Sequence, residues 1–165
     1  MSIEIVTATL NDLDRLRALR LSALKDAPYA FGAKYEDESK KPESEWSDRL
    51  KNTHWCFAVA DGVDVGLLAV DRADKDRNSD CWLSSWWLSE DFRGSGIPKL
   101  MLNWVEQLCI ENNWKRIGLG VWPENLRARA AYKKLGFTEA EKLLPSRSIP
   151  GQMYLAMYFE IAQSN

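Results

Sequence analysis

Apolar and polar residues alternate over positions 2 to 7, which predicts a strand, and the leucines at 13, 16 and 19 with Ala23 then fall at helical spacing. Thr9 or Asn11 can cap that helix, and Ala27-Pro28 stops it. From Tyr29 to Lys41 no clean period holds. Pro42 suits a first helical turn, and Trp46 with Leu50 makes one apolar stripe, so a second, short helix is predicted there. His54 to Ala60 and Val63 to Val70 are β-rich runs around Asp61-Gly62, a strong hairpin signal. A charged, turn-prone stretch from Asp71 to Asp80 leads to a third strand of this meander, Cys81 to Leu88.

Beyond it, Leu100, Met101, Trp104, Val105 and Leu108 give the buried stripe of a helix that starts near Ile97 and ends near Asn112-Asn113. Arg116 to Val121 is a short strand and Asn125 to Leu135 a helix, with Gly136 at its C-terminal cap position. Thr138 to Leu143 begins another strand, Pro145 to Gly151 is a loop, and Gln152 to Ile161 is the last strand. Strands joined first by a hairpin and then through helices imply an α/β chain with a mixed sheet, antiparallel at the start and with a parallel crossover after Leu88.

That crossover carries the most informative residues. Arg93-Gly94-Ser95-Gly96-Ile97-Pro98 joins the strand to the helix, and a glycine-bearing turn there aims backbone amides and the positive end of the helix dipole at an anion. Taken alone, it is equally an ordinary strand-to-helix turn. It has no Lys-Ser or Lys-Thr after the second glycine and lacks the third glycine of a dinucleotide fingerprint.

Downstream stand Asn125, Ala128, Ala131, Tyr132 and Lys134-Leu135-Gly136-Phe137. Together, Arg93-x-x-Gly96 and Asn125-x-x-Ala128-x-x-x-Tyr132-x-x-x-Gly136-Phe137 resemble the acetyl-CoA-binding core of the GNAT acyltransferases, over roughly residues 56 to 137. The resemblance implies a central mixed, mostly antiparallel sheet of six to seven strands flanked by about four helices. It further implies an N-acetyltransferase that uses acetyl-CoA as co-substrate on a primary amine, belonging either to a small molecule or to a protein. A homodimer is left open.

Composition and charge narrow the classes. At 165 residues and 45% hydrophobic content, one domain over residues 1 to 165 is expected. A net charge of −2 with both signs interspersed speaks against nucleic acid or an anionic membrane as partner. Cys56, Cys81 and Cys109 each sit in an apolar segment without Cys-x-x-Cys spacing, so they are expected to be reduced core residues of a cytoplasmic protein. His54 has no second ligand nearby, and no metal is expected. The N-terminus reads as neither a signal nor a transit peptide, and no apolar run reaches membrane-spanning length.

What the resemblance implies for the site can be stated residue by residue. The CoA diphosphate sits on the amides of Arg93, Gly94, Ser95, Gly96 and Ile97, and Trp86, Trp87 and Leu88 offer main-chain contacts to the pantetheine arm. Pro98 departs from the family's Gly or Ala and removes one amide donor, which Lys99 could partly offset. Tyr132 is the candidate acid at the departing sulfur; its alternative is a packed helix aromatic. Asn125 positions the pantetheine, caps its own helix, or does both. Arg129 either reaches a CoA phosphate or stays a surface residue.

The strand Trp82 to Leu88 has none of the carboxylates that many relatives use as general base, so Ser84 or Ser85 is the candidate to hold a relay water. Glu36, Asp37 and Glu38 either bind a cationic amine or are simply solvated. Phe31, Trp46 and Ser84 are the candidate acceptor-binding residues, with Tyr29, Tyr35 and the segment from Ser146 to Gln152 nearby in role. The aromatics among them form an amine cage or roof the core. A catalytically weak acyl-CoA-binding module is the alternative activity.

Overall fold

The computed structural model describes residues 1–162. Among them the elements follow in the order β1 (Ile3–Thr7), α1 (Leu13–Asp26), α2 (Tyr35–Ser39), α3 (Glu43–Asn52), β2 (His54–Ala60), β3 (Val63–Arg72), β4 (Cys81–Leu88), α4 (Ile97–Asn112), β5 (Arg116–Val121), α5 (Leu126–Leu135), β6 (Thr138–Pro145) and β7 (Met153–Glu160). The strands form one seven-stranded sheet in the order β1-β2-β3-β4-β5-β7-β6. The pairs β1–β2, β2–β3, β5–β7 and β6–β7 are antiparallel, and β4–β5 is parallel. A parallel neighbour needs a long crossover, and α4 provides it. The expected mixed, mostly antiparallel sheet is therefore found, with five α-helices among the described residues in place of about four.

The chain divides into two compact units, Met1–Asp71 with Ser85–Trp104 and Arg72–Ser84 with Val105 onward. In the first, the β2–β3 hairpin turns on Asp61 and Gly62, both left-handed at φ 48° and 82°, the geometry that matches strand twist. Its core gathers Leu16, Leu19 and Ala23 of α1 and Trp46 of α3 with Phe57, Val59, Leu67 and Trp87. The α1 stripe read from the sequence is thus the buried face. Its start differs from expectation. Asp12 holds the N-cap position, and its carboxylate accepts from the Thr9 amide at 2.7 Å, so neither Thr9 nor Asn11 caps the helix.

In the second unit, β5 pairs with β4 from Cys81↔Ile117 to Leu83↔Leu119 and with β7 along its whole length. Ile117, Leu119, Val121, Phe137, Leu155, Ala156 and Met157 are buried. Cys81 and Cys109 stand 3.6 Å apart as free, fully buried thiols, and Cys56 is free and buried too. On α4 the buried residues are Ile97, Met101, Leu102, Val105 and Cys109, while Leu100 is 41% exposed. The apolar face is rotated from the predicted one, because a helix this rich in apolar residues has several stripes to choose from. At the far end of the sheet, β6 slips register against β7 between Glu139 and Leu143. No helix among the described residues is long and apolar enough to cross a membrane.

Candidate active site

The glycine loop is held from below by side chains and left open above. Asp26, the last residue of α1, accepts from the indole Nε1 of Trp87 at 2.9 Å and forms an ion pair with Arg93 Nη2 at 2.5 Å. A carboxylate at a helix C-terminus meets the unfavourable end of the dipole, so these two donors are what make the position tenable. Arg93 Nε donates to the Leu88 carbonyl at 2.9 Å, which ties the end of β4 to the loop. The half-buried Arg93 guanidinium is therefore an anchor between α1, β4 and the loop.

The loop's own backbone divides in two. Arg93 N donates to the Glu90 carbonyl at 3.2 Å and Ile97 N to Ser95 Oγ at 3.3 Å, while Ser95 Oγ donates to the Phe92 carbonyl. The amides at both ends of the predicted set thus serve the turn itself, which leaves Gly94, Ser95 and Gly96 as the candidate donors to an anion. Gly94 adopts φ 76°, which favours glycine, and nothing lies within 4 Å of where a Cβ would stand at Gly94 or Gly96. A bulky anion can approach the head of the 16-residue helix α4 there. Pro98, second in that helix, sits where its missing amide costs no helical bond.

Between the parallel ladder and the loop, β4 does something that no periodicity foretold. Its pairing with β5 ends at Leu83, and Ser85 then takes a left-handed φ of 54°. The Ser85 hydroxyl accepts from Arg20 Nη1 at 2.9 Å. Arg20 is 9% exposed and Glu38 is 5% exposed. Glu38 Oε2 lies 2.7 Å from Arg49 Nη1, whereas Glu38 Oε1 lies 3.7 Å from Arg20 Nη2. Phe31 presents its ring 5.3 Å from the Arg20 guanidinium. Burial pushes the Arg20 guanidinium below its ordinary value, against the pull of Glu38 and together with repulsion from Arg49.

Two expectations need correction here. Trp46 is fully buried in the core around α1, so its ring has no face for an acceptor; aromatic content alone did not separate lining from packing. Glu38 is neither solvated nor free for a cationic amine, being enclosed between two guanidiniums, although Glu36 and Asp37 are exposed. Phe31 is half-buried against the same core, and Ser84 is exposed. Trp87 and Leu88 have buried side chains, which leaves only their main chain for a ligand.

In the second unit, Asn125 caps α5 by accepting from the Ala128 amide at 3.2 Å, and Gly136 closes it in the left-handed conformation at φ 112°. Tyr132 lies on this helix, its ring tilted on Phe137 at 5.9 Å between centroids. Burial pushes its phenol up to about 12. Such a hydroxyl keeps its proton at any physiological pH. Arg129 forks onto Glu139 at 2.9 and 3.1 Å and also donates to the Pro123 carbonyl at 2.7 Å. Those bonds with Arg129, and then Lys133, hold the Glu139 carboxyl down to about 2. Arg129 is thus a structural clamp in this unit. No group of His, Cys, Asp and Glu among the described residues could hold a metal ion.

A mixed sheet with a left-handed residue in β4 and an open glycine turn at the head of the crossover helix agree with the fold that the sequence resemblance implies. The acetyltransferase (GNAT) family model matches residues 16–137, and the chain belongs to that family. Among curated proteins, it is 31% identical over 90 residues to the N-acetylaspartate synthetase of Danio rerio, a match covering 53% of this chain. The matched part is 31% of that relative's length. Among solved structures, it is similar to a GNAT-family acetyltransferase of Staphylococcus aureus Mu50, with a TM-score of 0.72, 21% identity and coverage of 98% of this chain and 100% of that one. It is likewise similar to the PaiA N-acetyltransferase of Thermoplasma acidophilum in complex with coenzyme A, with a TM-score of 0.73, 18% identity and coverage of 97% and 99%.

Proposed function

We propose that this chain moves the acetyl group of acetyl-CoA to a primary amine as a single acyltransferase domain. The supporting observation is the loop itself: on a chain of this family, Gly94 to Gly96 leave open space at the head of α4 while Arg93 is locked below by Asp26 and Leu88. The amides of Gly94, Ser95 and Gly96 hold the diphosphate, and the main chain of Trp87 and Leu88, outside the β4–β5 ladder, pairs with the pantetheine arm.

The neutral amine nitrogen attacks the thioester carbonyl, the carbon–sulfur bond breaks, and Tyr132 gives its proton to the departing sulfur. A thiolate of pKa near 8.5, by analogy with cysteine, is a fair leaving group and needs modest help from a phenol. The amine's own proton leaves by way of water held at Ser84, which is exposed on β4. The Danio rerio relative is named as an N-acetylaspartate synthetase, which supports an amine acceptor for this chain.

Thiol release from acetyl-CoA over a panel of amines tests the proposal, with cofactor affinity followed separately by tryptophan fluorescence. Acceptor-dependent, saturable release is expected. The absence of any carboxylate on β4 and the engagement of Glu38 by two arginines favour a second reading, an acyl-CoA-binding module. Saturable binding without release on any amine would select it.

A further inference from the structure

Arg20 interrupts a stripe that should be apolar. It lies between Leu19 and Leu24 on the buried face of α1, where a leucine would satisfy packing, yet a guanidinium is held there at 9% exposure. Such a charge is costly to bury unless it is well paired. Its partners fall short of that. The buried carboxylate of Glu38 is drawn toward Arg49 at 2.7 Å and stands 3.7 Å from Arg20, outside hydrogen-bond range. Two guanidiniums thus share one buried carboxylate, and Arg49 has a further partner in Glu45 at 3.5 Å. The positive surplus falls on the Arg20 side.

That side is also the one directed to the strand. Arg20 Nη1 meets the Ser85 hydroxyl at 2.9 Å, at the left-handed residue of β4, and Phe31 stands 5.3 Å from the guanidinium as a half-buried wall. A planar fork fixed by a serine and an aromatic face, with charge left over, is preorganised for a carboxylate, which guanidinium binds through two parallel bonds. We infer that Arg20 anchors a carboxylate of the acceptor, so that the amine acetylated by this chain is an amino acid or an equivalent amine bearing an acid group. The inference rests on the acetyl-transfer proposal above. Ser85 then serves as a positioning residue that sets the angle of the fork.

Matched acceptors test it: alanine against alaninamide and glutamate against its α-amide, each scored by thiol release from acetyl-CoA. The acid is expected to exceed its amide by about 30-fold in kcat/KM, the scale of a charge-assisted pair. In Arg20→Lys, which keeps the charge and loses the fork, that ratio is expected to fall to within about threefold of unity, chiefly through KM for the acid. Equal turnover of acid and amide by the native protein, or an equal loss of both in Arg20→Lys, overturns the inference. The native comparison decides the matter even where the variant does not fold. If no amine is acetylated although acetyl-CoA binds, the transfer proposal fails by itself. Calorimetric titration with the same pairs then decides on carboxylate recognition: binding of the acid alone upholds it, and equal binding or none overturns it.

Discussion

The two units carry their candidate residues in opposite ways. In the unit holding the glycine loop, charged and aromatic side chains are taken up by one another, with Asp26 joined to Arg93 and Trp87, and the candidate feature is open backbone at Gly94 and Gly96. In the unit holding α5, the backbone is closed off by Asn125 and Gly136, and a side chain, Tyr132, is the chemically interesting group. The lesson is about sensitivity. The first region should respond to changes of main-chain conformation and tolerate side-chain swaps that leave it intact, whereas the second should respond to the loss of a single oxygen atom.

The largest expected effect breaks or upholds the second half of that contrast. Tyr132→Phe is expected to lower kcat by about 100-fold, the usual scale for removing a general acid, with acetyl-CoA affinity within about twofold of native. Steady-state thiol release and fluorescence titration read the two quantities. A parallel loss in both, or none in kcat, removes the phenol from the mechanism. Because the hydroxyl titrates near 12, no descending limb should come from this tyrosine around pH 10.

Gly94→Val sharpens the first half. A β-branched residue at φ 76° is strained by about 1 to 3 kcal/mol, so acetyl-CoA binding is expected to weaken by about tenfold or more in the titration. Ser95→Gly keeps the backbone free but removes the Oγ bond to Ile97, and should cost less than Gly94→Val. If the order were reversed, the loop would be acting through its side chains.

Pro98→Ala restores one amide at the head of α4 and, if the diphosphate binds there, is expected to tighten acetyl-CoA by up to about tenfold. Unchanged affinity would mean that this position never meets the phosphates.

The smallest effect concerns the clamp under α5. Glu139 titrates near 2 in the folded chain against an ordinary value of 4.5, so its pairing with Arg129 contributes stability above pH 4.5 and loses it as the pH falls through about 2. Arg129→Ala should accordingly melt lower than native at neutral pH, and the gap should narrow toward pH 2. A gap independent of pH would place the role of Arg129 in its bond to Pro123 alone.

How much of this was legible depended on how local its cause was. Asn125 and Gly136 act within one helical turn of themselves, and Asp61-Gly62 within its own hairpin, so composition and spacing were enough to find all three. Helix α2 is only five residues of mostly charged sequence, too short to show a period. Arg20 and Ser85 are 65 positions apart in the chain, and Asp26 and Arg93 are 67 apart, so nothing near either residue announces the partner. Trp46 lies on a helix that the resemblance implicates in acceptor binding, where an aromatic suits a ligand wall and a core alike, and only the packing around it decides for the core.

The slip of β6 has a consequence for how copies of this chain could meet. As the terminal strand it carries Glu139, Glu141, Lys142 and Pro145 along with its broken register, devices that turn a sheet edge away from intermolecular pairing. The opposite margin is β1, five residues long, with Glu4 exposed on it and the amide of Ser2, just before it, donating to the Asp61 carboxylate. Both rims are therefore poor templates for a neighbouring chain, which makes growth of the sheet into fibrils the assembly route this molecule is best defended against.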